Sequence, residues 1–387
     1  MNEETRLTHA GSEPRPLVRT VGPPIQKGST VLLPSAASLY DDDAFLTYGR
    51  QGLATHEALC EALGELEGAG GVTLYPSGVA ALSGAMLAVL KAGDAVRVAD
   101  TAYRPTRRFC DKVLKRFGVE VDYYDPRLAP QAVFDGAPAN LRLVVLESPG
   151  SLSMEMQDIP AITQAARARG VLTLADNTWA AGLLFKPLAH GVDISVQALT
   201  KYVGGHSDVF MGSAAASDPK IARQLADGIN HLGWAVSGEE AYLMLRGLRT
   251  LPVRLARHGE NALSLATWLH GRAEVGQVLH PALPGAPGHA LWSRDFTGAC
   301  GLFSFTLAGA SAAAADAFLD ALQVFGLGFS WGGFESLAIV CDPQFACRRH
   351  AYDYGGPMIR LHVGLESPQD LIADLERGFA ASGQDPK

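Results

Sequence analysis

The chain has 387 residues, of which 48% are hydrophobic and 19% charged, and a formal net charge of −8. That length has room for one large and one small domain with a sizeable core, and the composition excludes a disordered or fibrous chain. The acidic balance, with no basic stretch interleaved with aromatics, argues against a nucleic-acid partner, and no apolar run reaches membrane-spanning length. Residues 1 to about 54 are rich in Pro, Gly, Ser and Thr without sustained periodicity, which fits a loose tail or an arm that packs on something else. In Thr55 to Glu67, Leu59, Leu63 and Leu66 follow i, i+4, i+7 spacing and predict an amphipathic helix.

Strand-like and helix-like segments then alternate. Gly71–Tyr75 leads into a helix over Val79–Lys91, Ala95–Ala99 precedes a helix over Pro105–Phe117, and the strand Val119–Tyr123 follows. Leu141–Leu146 leads to a helix over Ile159–Ala168, and the apolar runs Val171–Ala175 and Ile194–Leu199 come next. Repeated βα units predict an α/β fold with a mainly parallel sheet covered by helices on both faces. After Ser213 a long helical stretch runs from Pro219 to about Arg246, and another helix spans Val253–Leu269. The strand Leu302–Leu307, the helix Ala312–Leu322 and the strand Met358–Val363 predict a smaller α+β domain starting near residue 247. The divisions expected are therefore 1–54, 55–246 and 247–387.

The opening Met1-Asn2-Glu3-Glu4-Thr5 is too polar and acidic for a secretory signal. The five cysteines are scattered with no C-x-x-C pair, which argues against a zinc site or a disulfide framework and for the reducing cytoplasm. The eleven histidines show no metal-binding spacing, so no metal ligand is assigned.

Two charged residues stand at the ends of apolar runs. Asp176 closes the first and Lys201 follows the second, where an α/β sheet presents reactive groups to a cleft. A lysine there can attack a carbonyl, and a carboxylate beside it can hold a ring nitrogen charged, as pyridoxal 5'-phosphate (PLP) requires. Taken alone, a surface lysine and a helix-capping aspartate explain the pair as well. Tyr75-Pro76-Ser77-Gly78-Val79-Ala80 is a small turn before a helix N-terminus, suited to a phosphate or to an ordinary cap. The Thr200 hydroxyl precedes the lysine and is placed to bind the same phosphate. Tyr103 follows a strand where its ring could stack on a planar cofactor, or it is simply half-buried. Arg360 alternates with apolar neighbours; it is either an edge-strand arginine facing water or a buried one needing an anion such as an α-carboxylate.

With these residues assembled, the chain resembles the Cys/Met-metabolism family of PLP-dependent enzymes, the fold-type I, aspartate-aminotransferase-like group, over nearly its whole length. The motifs include Thr8-His9-Ala10-Gly11, Thr47-Tyr48-Gly49-Arg50, Glu147-Ser148-Pro149-Gly150-Ser151 and Asp176-Asn177-Thr178-Trp179. They continue through Thr200-Lys201-Tyr202, Gly205-His206-Ser207-Asp208, Ser330-Trp331-Gly332-Gly333 and Ile359-Arg360-Leu361-His362. The resemblance implies PLP as cofactor, with Lys201 as Schiff-base lysine and proton shuttle, Asp176 on the pyridine nitrogen and Tyr103 stacked on the ring. It further implies that Gly78, Val79 and Thr200 hold the phosphate, and that Tyr48 and Arg50 reach a neighbouring subunit's cofactor, Tyr48 also bordering its substrate. Arg360 is expected to bind the substrate carboxylate, with Ser330 and Trp331 lining the pocket of a homotetramer built from two active-site dimers. The Glu-Ser-Pro-Gly-Ser and Ser-Trp-Gly-Gly versions resemble the β-lyase branch. That branch implies cleavage of an amino acid, L-cystathionine, to homocysteine, pyruvate and ammonia in methionine synthesis.

Three departures from that branch stand at the far end of the expected substrate: Gln51 where a second arginine is expected, Arg108 for an acid, and Phe329 for a tyrosine. A cationic Arg108 would repel a distal ammonium and attract a carboxylate, unless the change is neutral. The alternatives are a β-lyase for cystine or other cysteine S-conjugates, a γ-lyase or γ-synthase, and a catalytically silent scaffold or binding protein.

Overall fold

A short apolar run buried on both faces needs helices above and below it, and the first half of the chain supplies them by turns. The computed structural model describes residues 2–11, 20–41, 46–350 and 352–383. The strands β1 (Gly71–Tyr75), β2 (Ala95–Ala99), β3 (Glu120–Tyr124), β4 (Leu141–Glu147), β5 (Leu172–Asp176), β6 (Ile194–Gln197) and β7 (Gly212–Ala216) form one sheet. Its order is β1-β7-β6-β5-β4-β2-β3, and β7 alone runs against the rest. The fold is α/β. Alternation along β4 shows the two faces. Val144 and Leu146 join a core with Leu59, Leu63 and Ile162 of the helices Ala54–Glu67 and Ile159–Arg167. Leu143 and Val145 join a second with Met86 and Leu225 of the helices Gly78–Val89 and Pro219–Leu232.

A second sheet holds β8 (Val275–Leu279), β9 (Leu302–Leu307), β10 (Gly326–Leu327), β11 (Leu337–Val340) and β12 (Met358–His362), in the order β10-β11-β12-β9-β8. Its core joins Phe305 and Leu361 to Leu265, Phe318 and Phe379 of the helices Leu251–His270, Ala312–Asp320 and Pro368–Ala381.

The structure departs from the sequence pattern in several places. The stretch expected as one helix from Pro219 is two, because Gly233 takes a left-handed φ of 71° as a C-cap and Ser237 caps a new helix, Gly238–Leu248. The helix after β2 is α-helical only over Arg104–Phe109, then π-type to Leu114. Strands β7, β8 and β11 and the helix Pro368–Ala381 were not signalled by periodicity. For β7 the reason is composition. Gly-Ser-Ala-Ala-Ala has neither β-branched nor large apolar residues, and the sheet accepts it because helices crowd in: a Cβ on Gly212 would lie 2.5 Å from the Ser77 carbonyl oxygen.

In the 1–54 segment, Glu3–His9 form a short helix whose Leu7 is buried against Leu59 and Leu63. Residues 1, 12–19 and 42–45 lie outside the described residues, as do 351 and 384–387 of the last segment. Much of the arm is apolar and exposed, with Val21 at 84% and Leu32 and Tyr40 at 93%. No helix among the described residues is long and apolar enough to cross a membrane.

Candidate active site

Parallel strands direct their C-terminal ends to one edge of the sheet, and the reactive side chains gather there. A cavity of about 530 Å3 opens beyond β2, β4, β5 and β6, and is lined by Gly78, Val79, Tyr103, Arg108, Asp176, Thr200, Lys201, Phe329, Ser330, Trp331 and Arg360, among others. Tyr48, Arg50 and Gln51 do not line it. Arg50 donates to the Asn230 carbonyl at 3.0 Å, and Gln51 accepts from the Tyr48 N–H at 3.0 Å within its own turn. A more open hollow at Glu3, Arg6, Glu65, Glu67 and Lys186 has its charges already engaged: Arg6 bonds Glu65, Lys186 bonds Glu3, and Gln197 and Ser195 bond Glu67. It offers no comparable chemistry.

Asp176 is the last residue of β5. Its Oδ1 accepts from the N–H (3.1 Å) and hydroxyl (2.5 Å) of Thr178, while no donor among the described residues bonds Oδ2. The Thr178 hydroxyl oxygen also accepts from the Ala198 N–H at 2.9 Å, which ties Asp176 to the turn bearing Lys201. Burial pushes the Asp176 carboxyl above its ordinary value, against the Thr178 hydrogen bonds and the charge of Lys201.

Lys201 Nζ donates to Ser330 Oγ at 2.8 Å and lies 5.2 Å from the Trp331 ring centroid. Burial first, then the Arg360 charge, bring its amine down to about 8, against the pull of Asp176. An amine titrating there is a competent base and acid near neutral pH. Arg360 is 6% exposed. Its Nη2 donates to the Phe329 and Ser330 carbonyls at 3.1 and 3.2 Å, and its buried Nε has no acceptor among the described residues. A buried guanidinium without a carboxylate is costly unless an anion arrives.

At the cavity's other wall, Ser77 caps the helix Gly78–Val89 by accepting from Ala80 N–H, which leaves the Gly78 and Val79 N–H groups without intrahelical partners. Gly78 is required for close approach, since its Cβ would lie 2.4 Å from that of Ala198. The Thr200 hydroxyl donates to the Met211 carbonyl at 3.1 Å and accepts from its N–H at 2.9 Å, so it is committed locally.

Glu147 also belongs to the site, although nothing in the sequence pattern assigns it a role, and the same holds for Arg104 and Phe210 of the lining. Glu147 ends β4 as the Cα partner of Asp176, lines the cavity and accepts from the Tyr103 N–H at 2.6 Å. Burial, then the Asp176 charge, hold its carboxyl well above the usual range. An acid closing an apolar strand marks it in the sequence, as it does Asp176, without naming a role.

Residues 4–380 match the family described as Cys/Met metabolism PLP-dependent enzyme. The chain belongs to that family. It is 43% identical to the cystathionine beta-lyase of Salmonella typhimurium, over 97% of this chain and 98% of that protein. It is 42% identical to the cystathionine beta-lyase of Escherichia coli, with the same coverage. The solved cystathionine gamma synthase of Xanthomonas oryzae, in complex with cystathionine, superposes with a TM-score of 0.91 at 34% identity, covering 99% of this chain and 98% of that one.

The enzyme is PLP-dependent, and its cavity fits the cofactor. The orphan N–H groups at Gly78 and Val79 suit a phosphate, Asp176 keeps an oxygen free of donors among the described residues, and Lys201 is a poised amine.

Proposed function

We propose that this enzyme is a carbon–sulfur β-lyase that cleaves L-cystathionine to homocysteine, pyruvate and ammonia in methionine synthesis. The observation that carries the reading is Lys201, held near a pKa of 8 between Asp176 and an anion-hungry Arg360 in one cavity. The near-full-length similarity to two cystathionine beta-lyases supports it. Bound PLP supplies the electron sink for the pair released at the substrate Cα. Arg360 binds the α-carboxylate and so sets the direction of the Cα–H bond. Lys201 takes the Cα proton on Nζ, and returns a proton to the sulfur as the Cβ–S bond breaks. Ser330 holds the amine between those two positions, and Trp331 screens it from water. Asp176 keeps the ring nitrogen charged, Tyr103 covers the ring, and the Gly78 and Val79 N–H groups hold the phosphate, which Thr200 reaches only by giving up its hydroxyl's bond to the Met211 carbonyl.

In this reading residues 55–246 bind the cofactor, 247–387 close the cavity, and 1–54 reach a neighbouring subunit with Tyr48 and Arg50. Val21, Ile25, Leu32, Leu39 and Tyr40 are all exposed within one short stretch, and it is this concentration of large apolar groups that supports an arm covered by a neighbour. A homotetramer is proposed on the same basis, and a cytoplasmic location on the five unpaired cysteines. Product analysis of PLP-loaded protein tests the function. Pyruvate with homocysteine from cystathionine, at a higher rate than pyruvate from cystine, is expected. A higher rate from cystine would keep the chemistry and move the role to other cysteine conjugates.

A further inference from the structure

Three arginines stand on the short helix Arg104–Phe109, and they are not equivalent. Arg107 is buried and donates to Asp100 at 2.6 Å. Arg104 and Arg108, one turn apart, are exposed, line the cavity and have no hydrogen-bond or ion-pair partner among the described residues. The acids among the cavity-lining residues are Glu147 and Asp176, both at strand ends on the floor. Glu147 is occupied by the Tyr103 N–H and Asp176 by Thr178. Neither acid forms an ion pair with Arg104 or Arg108 among the described residues. Two exposed aromatic rings, Phe210 and Phe329, complete the same lining.

We propose that Arg104 and Arg108 read a terminal carboxylate on the sulfur substituent, with Phe210 and Phe329 covering the methylenes between. This rests on the β-lyase reading and deepens it: the substrate class is cysteine S-conjugates that end in a carboxylate. Cystathionine qualifies by its distal carboxylate, while its distal ammonium finds in the lining only the two acids already bonded by Tyr103 and Thr178, and adds nothing. With Arg360 at the other end, the cavity is a cationic clamp for a substrate carrying two anionic termini. An exposed guanidinium pair is screened by salt, so recognition weakens as ionic strength rises.

The experiment measures pyruvate release by the PLP-loaded enzyme from three conjugates built on the same three-carbon spacer: S-(3-carboxypropyl)-, S-(3-aminopropyl)- and S-propyl-L-cysteine. The carboxylated conjugate is expected to exceed the other two in kcat/KM by about tenfold, with the difference in KM. The double variant R104Q/R108Q should bring that preference down towards unity. For the wild-type enzyme, raising salt to about 0.5 M should raise the KM of the carboxylated conjugate several-fold and leave that of the propyl conjugate in place. An aminopropyl conjugate as good as the carboxypropyl one, a preference surviving the double substitution, or a KM indifferent to salt would each overturn the proposal while leaving the lyase intact. Absence of pyruvate from all three conjugates would bring down the lyase reading, and this proposal with it.

Discussion

The Lys201 amine and the Ser330 hydroxyl meet at 2.8 Å although 129 residues separate them. Lys201 belongs to the turn beyond β6, and Ser330 to the loop between β10 and β11. The loop is seated by backbone contact as well. Gly332 has φ +87°, and a Cβ there would lie within 2.9 Å of the Lys201 Cα. The second sheet thus registers its loop directly on the lysine backbone, and Arg360 on β12 grips the same loop through the Phe329 and Ser330 carbonyls.

Ser330→Ala should leave the fold unchanged and lower kcat by about ten- to a hundredfold, because a single hydrogen bond to a charged group contributes about 1.5–3 kcal/mol. Gly332→Ala should be worse, since it adds both a left-handed backbone cost and a clash with the lysine chain. Steady-state kinetics with circular dichroism separates the two. Equal kcat values for Ser330→Ala and the wild type would remove Ser330 from the mechanism.

Lys201→Ala should abolish turnover, a loss of at least about a hundredfold, with the fold intact. In the wild type, kcat should rise with pH through about 8 as the amine loses its proton, and flatten above. Arg360→Gln removes a cation that lowers the lysine, so the midpoint should move to higher pH while KM rises. A midpoint that stays fixed in that variant would show that the arginine charge does not reach the amine.

Gly78→Ala tests the phosphate cradle separately from the chemistry. Its Cβ would overlap that of Ala198, and relief requires the helix N-terminus to move away from the Lys201 turn. PLP affinity, measured by equilibrium dialysis, should fall about tenfold or more while the apoenzyme remains folded. Unchanged retention would mean that the helix terminus is not where the phosphate is held.

The parallel strands were legible because each apolar run ends on a polar residue, and Asp176 and Lys201 stood out for that reason. Glu147 met the same criterion and was passed over, since a carboxylate gains meaning only from its neighbour across the sheet, which is Asp176. Registers between strands 25 residues or more apart leave no local trace. The break at Gly233 was hidden because Ala235 and Val236 continue the apolar periodicity into the next helix. Tyr48 and Arg50 show the opposite case: their expected role came from resemblance, and in a single chain they lie outside the cavity.

Acid should destabilise the enzyme through buried histidines away from the cavity lining. His280 is 1% exposed, accepts from the Ala282 N–H on Nδ1 at 3.2 Å and packs against Phe303. Burial lowers its pKa from 6.5 to about 4, and burial likewise brings His258 to about 4. In the unfolded chain each histidine binds a proton below about 6.5, while in the folded one it stays neutral until about 4. The stability that each contributes is complete above pH 6.5, is lost as pH falls from 6.5 to 4, and changes no further below. The slope within that window is about 1.4 kcal/mol per pH unit for each group. In His280→Asn the amide oxygen can accept from Ala282 as Nδ1 does, and one titrating group is gone. Denaturant midpoints at pH 7 and pH 5 should therefore draw closer together in the variant than in the wild type. If both proteins lost the same stability over that interval, His280 would not be the buried neutral group that its surroundings require.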